Sequence, residues 1–173
     1  MMKPEEPRFS DDEQQRPLLA EKQLRDTCLY AAAIVVVAYS LGCEFEDCRL
    51  DDDGYPWPTA TTRIEIKYPE DWRWKWGIFP IVGAIHEAGA AAVAKQHDTG
   101  LCRINAYTAP RTSDLLDDPK IWATIKALAR FIQDSEFEEN GCGIYGALGT
   151  DCHEPGEDSE AITLMKSMDV HPG

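Results

Sequence analysis

Residues 28 to 42 read CLYAAAIVVVAYSLG, fifteen positions without a single charged side chain. A membrane-spanning helix needs about 20 such residues, so the run is read as a helix buried in a protein core. Upstream, Ser10 and Glu13 have the spacing of a capping box, Pro17 is placed in the first turn, and Leu18, Leu24 and Leu29 lead into the apolar run. Gly42 supplies a C-terminal stop. The helix thus begins amphipathic and becomes apolar on all sides, which places its second half in the middle of the domain.

Working outward, a second helix is expected from Pro80 to about Gln96, dominated by small residues such as Gly83, Ala84, Ala88, Gly89, Ala91 and Ala92. Small side chains let backbones approach closely, so this helix is expected to pack on the Ala/Val portion of the first. A third starts at Asp117 or Asp118 as cap with Pro119 behind it. Its stripe is Ile121, Trp122, Ile125, Leu128, Ala129 and Ile132, with Lys120, Lys126 and Arg130 opposite. A short helix around 159 to 168 and a loose tail follow.

Thr62 to Tyr68 alternates, with Ile64, Ile66 and Tyr68 on one face and Arg63, Glu65 and Lys67 on the other, the period of a half-buried strand. Leu101 to Thr108 reads as a second strand, and a strand, helix, strand order favours parallel pairing by a right-handed crossover. Residues 54 to 62 read as an extended connector. The expected fold is α+β and helix-dominated, three main helices packed around a small two- to three-stranded sheet. Residues 1–16 are assigned to a flexible tail, 17–168 to one compact domain and 169–173 to a C-terminal tail.

The chain of 173 residues carries 31 acidic and 17 basic side chains, a net charge of −14. That balance disfavours nucleic acid and anionic membranes as partners. The imbalance is local. Residues 44–53, EFEDCRLDDD, hold six acids and one base, residues 134–160 hold nine acids and no base, and the remaining segments sum to zero. Both acidic segments also contain apolar or aromatic residues, among them Phe45, Leu50, Phe137 and Tyr145. Charge steers an encounter and apolar groups supply affinity, so these segments are read as a contact surface for a basic protein. The candidate partner-binding residues are Glu44, Glu46, Asp47, Asp51, Asp52, Asp53, Glu136, Phe137, Glu138, Glu139, Tyr145, Glu154, Glu157 and Asp158.

Apparent catalytic motifs fail on context. His86-Glu87-Ala88-Gly89-Ala90 resembles the HEAGH helix of zinc-dependent peptidases, in which two histidines one turn apart hold zinc and the glutamate activates water. The second ligand position is Ala90, so the carry-over stops at His86 and Glu87. His97 lies eleven residues on, about 16 Å along the same helix. Gly141 to Gly146 spells GxGxxG but follows acids that repel phosphate rather than a strand. Asp98-Thr99-Gly100 sits at a helix end where Gly100 caps. Residues 51–54 lack the flanking ligands of a calcium loop. Cys43, Cys48, Cys142, Cys152 and His153 have no regular zinc spacing, and whether they form a metal site or disulfides stays open. Trp72, Trp74 and Trp76, interleaved with Arg73 and Lys75, are read as core and edge packing.

No apolar stretch of signal-peptide length precedes residue 28, and six cysteines in a chain of this size suit reduced thiols in the cytoplasm. The expectation is an acidic, non-enzymatic binding module without cofactor, of the inhibitor, immunity-type or phage and mobile-element accessory kind. The alternatives are a zinc-dependent hydrolase built on His86 and Glu87, and a structural subunit of a larger assembly.

Overall fold

The computed structural model describes residues 11–51, 61–74, 78–98, 109–135 and 160–173. Their order is α1 (Asp11–Ser40), β1 (Glu44–Asp51), β2 (Thr61–Lys67), a 3₁₀ turn (Glu70–Trp74), α2 (Ile78–Gln96), α3 (Ala109–Asp117), α4 (Pro119–Ser135) and α5 (Glu160–Ser167). The architecture is α+β and helix-dominated, with one small sheet, as the periodicities imply.

Helix α1 is the element that the others meet. Cys28 and residues 31 to 39 are buried on every side, so the uncharged run forms the axis of the core. The helix starts at Asp11, inside the stretch assigned to the tail, and Pro17 therefore stands in its second turn rather than its first. There the ring nitrogen offers no N–H to the carbonyl of Glu13. Gly42 ends the helix as expected, with φ at 87°. The Cys43 amide donates to the Ala38 carbonyl at 3.0 Å and the Gly42 amide to Tyr39 at 2.9 Å, the pair of bonds of a Schellman stop.

The small residues of α2 face α1, and Ala84, Ala88, Ala91 and Ala92 are fully buried. Helix α4 covers another side of α1. Ile125, Leu128 and Ile132 are completely buried, Ile121 and Ala129 nearly so, and Trp122 partly. Each complete burial of a large aliphatic side chain is worth about 1.5–3 kcal/mol. Asp118 caps the helix: its Oδ1 accepts from the amides of Lys120 at 2.8 Å and Ile121 at 3.3 Å. Thr124, buried within the stripe, satisfies its hydroxyl by donating to the Lys120 carbonyl at 2.8 Å.

Helix α3 at 109–117, which the sequence pattern does not announce, buries Thr112 and Leu116. Its nine residues are too few to display more than two turns of periodicity. The tail after α5 is not loose. Val170 is buried, its amide donates to Met165 at 3.0 Å, Asp169 takes a left-handed φ of 61°, and the Gly173 amide reaches the Ser40 carbonyl at 3.2 Å. Residue 170 belongs to the core.

The strand at 61–67 is present, but its partner is β1 and the pairing is antiparallel, not the parallel pairing expected with 101–108. Residues 99–108 lie outside the described residues. Phe45 stands opposite Ile66, Cys48 opposite Ile64, and Arg49 opposite Arg63. The register shifts between Phe45 and Asp47, so Glu46 is the extra residue of a β-bulge. That bulge explains why β1 escapes a reading by period two: Phe45 and Cys48, which occupy matching positions against β2, are three residues apart.

Candidate protein-binding interface

The first acidic segment is therefore mostly a strand. Over β1 the backbone carries Glu44, Glu46, Asp47 and Asp51 against a single base, Arg49. Among the described residues the sheet has two strands only, so β1 has one edge paired with β2 and one edge without a strand beside it. An edge of this kind presents alternating N–H and C=O groups that an extended chain can join.

Glu44 is exposed and its Oε2 lies 3.4 Å from Lys67 Nζ across the ribbon. Both ends are solvated, so the pair contributes little, about 0–1 kcal/mol. Phe45 is half-buried and packs against the molecule's own core, together with Ile64 and Ile66. It thus holds the ribbon on the helices instead of projecting toward a partner. Opposite β1 the second strand contributes Arg63 and Lys67, with Glu65 in register with Asp47. The ribbon as a whole is less acidic than β1 alone.

The remaining candidate residues divide by position. Asp52 and Asp53 lie outside the described residues, as do Glu136, Phe137, Glu138, Glu139, Tyr145, Glu154, Glu157 and Asp158. The connector residues 54–60, the GxGxxG stretch, Gly100, Trp76, Cys142, Cys152 and His153 are outside as well. Helix α2 ends instead with Asp98 in the left-handed region, at φ 52°.

His86 and Glu87 lie on α2 as the resemblance implies, and His86 Nε2 is hydrogen-bonded to the Tyr68 hydroxyl at 2.9 Å. His97 is far along the chain, its Nε2 2.7 Å from Asp26 Oδ1 on α1. No three His, Cys, Asp or Glu side chains converge as metal ligands among the described residues. Cys28 and Cys43 are buried free thiols, so Cys43 is in no disulfide. Burial pushes the Cys43 thiol up to about 11. Burial also raises the Tyr68 phenol, and the neighbouring Cys43 charge adds to it. The tryptophan strip is a 3₁₀ turn where described, with Trp72 stacked on Tyr68 at 5.9 Å between ring centroids.

Two features had no counterpart in the motif search: the Tyr68 to His86 bond, which joins the end of the ribbon to α2, and a cleft lined by bases from α1 and α4. No helix among the described residues is long and apolar enough to cross a membrane. Compared with protein-family models, with curated proteins and with solved structures, the chain matches none, so no relative's activity bears on these sites.

Proposed function

We propose that the protein is a non-enzymatic binding module that recognises a basic protein surface, with the acidic strand β1 and the acidic stretch 136–158 as its contact elements. The observation that carries this reading is the placement of four carboxylate residues on a strand with one edge unpaired among the described residues. Backbone pairing along that edge supplies affinity without a pocket, and the carboxylates select a Lys- or Arg-rich chain over an acidic one. An inhibitor, an immunity-type protein or an accessory factor has this requirement. Free thiols at Cys28 and Cys43 support a reducing, cytoplasmic setting for it.

The test is affinity capture from the native host at low and high salt with three baits in parallel: the unaltered protein, E46Q/D47N/D51N, and a variant neutralised at Glu136, Glu138, Glu139, Glu154, Glu157 and Asp158. The expected outcome is a strongly basic protein retained by the first bait at low salt and lost from at least one variant. Retention that is identical for all three baits and indifferent to salt overturns the reading.

A further inference from the structure

Four basic side chains of this acidic chain come together where α1, the end of α2 and α4 meet. Lys22, Arg25, Asp26 and Leu29 recur at helical spacing along one face of α1, and Lys126, Ala129, Arg130 and Gln133 do the same along α4. The two stripes border a cleft of about 640 Å³, which Gln96 and His97 also line. Its floor is apolar, since Leu29 and Ala129 are buried, while Lys22, Arg25, Lys126 and Arg130 are exposed at the rim.

Two carboxylates also line the cleft, and one is already engaged: Asp26 Oδ1 sits 2.7 Å from His97 Nε2. Asp134 is the other. Among the described residues no ion pair takes up Lys22, Lys126 or Arg130. Lys126 is steadied instead by the Trp122 ring, 5.9 Å from its centroid, an arrangement that leaves its N–H groups available to an anion. A guanidinium group suits phosphate, which Arg130 can grip through two parallel N–H bonds, while Arg25, already engaged in an interaction of its own, adds positive charge from the facing helix. The volume falls within the range of small-molecule sites, about 300–1,000 Å³. At physiological salt, charges beyond about 8 Å are largely screened, so the net acidity of the chain does not cancel this local excess.

We propose that this cleft binds a small molecule carrying two or more linked phosphate groups, with Arg130 as the principal anion ligand, Lys22 and Lys126 flanking it and Arg25 adding charge from α1. Linked phosphates, rather than a single one, match cations distributed over two helices and outweigh the repulsion of Asp134. The site is separate from β1 and its occupancy does not depend on a basic protein partner.

Inorganic tripolyphosphate and orthophosphate are the probes, titrated into the full chain by calorimetry at low salt, with R25Q/R130Q and E46Q/D47N/D51N as variants whose folding is checked by circular dichroism. Tripolyphosphate is expected to bind saturably with one equivalent, at least about tenfold tighter than orthophosphate, and R25Q/R130Q to weaken it about tenfold or more. The β1 variant is expected to bind it unchanged. Saturable binding that survives in folded R25Q/R130Q, equal binding of the two probes, or no binding at millimolar tripolyphosphate overturns the proposal.

Discussion

The ring of Tyr30 on α1 lies directly over Gly89 on α2: a Cβ built on that glycine would stand 2.6 Å from Tyr30 Cδ2 and 2.8 Å from Cγ. Atoms so near the root of the ring cannot swing aside as a chain end can. The two helices owe their close approach to the missing side chain, and Gly89→Ala is expected to destabilise the fold by about 1–3 kcal/mol despite the better helix propensity of alanine. Urea denaturation measures this. In Tyr30→Ala the added loss from Gly89→Ala should shrink or reverse, and a loss of the same size in both backgrounds would show that the contact is not the cause.

Asp118→Ala removes the acceptor for two α4 amides. A loss of about 0.5–2 kcal/mol is expected, with Asp118→Ser or Asp118→Asn recovering most of it, because either residue restores a cap. Thermal unfolding of the three variants side by side decides it.

The Cys43 thiol, held at about 11 by burial against an ordinary 9.0, should resist alkylation in the folded protein. Iodoacetamide at about pH 8 should leave Cys43 unmodified by mass spectrometry until urea is added. The sign of the linkage follows from the raised value: burial favours the protonated form, so this contribution is complete below 9.0 and disappears as pH climbs through about 11. Stability should therefore fall across that window, and less so in Cys43→Ala. Rapid labelling of native protein would contradict the burial.

Asp169 has its carboxyl held below the usual value, first by the hydrogen bond from Lys120 Nζ at 2.5 Å and then by His171. A lowered pKa means the contribution is present above 3.8 and is lost as pH falls through the folded value. Asp169→Asn keeps a residue tolerant of the left-handed backbone there. It should lower the urea midpoint modestly at neutral pH and leave it unchanged in strong acid. The group is exposed, so the difference is small. A deficit that persists in acid would assign it to packing rather than charge.

How far these features could be read in advance depended on whether one local pattern carried them. The stripe from Ile121 to Ile132, the cap at Asp118 and the stop at Gly42 are each written in a short window, and each is present. The alanine and glycine content of α2 signalled close packing because no other residue type permits it. Strand β1 was hidden because the extra residue Glu46 breaks the alternation that reveals a strand. The basic cleft has no local signature at all. Lys22 and Arg130 are over a hundred residues apart in sequence, and each alone is an ordinary base on the polar side of a helix.

The burial of residues 31–39 beneath later elements also sets a timetable. During synthesis the run leaves the ribosome long before residue 132, the last of the α4 stripe that covers it. At about 5–20 residues per second the delay is roughly 5 to 20 s. For that interval the side of the apolar run that α4 covers has nothing native to bury itself against, and a nascent chain in that condition is a substrate for holding chaperones.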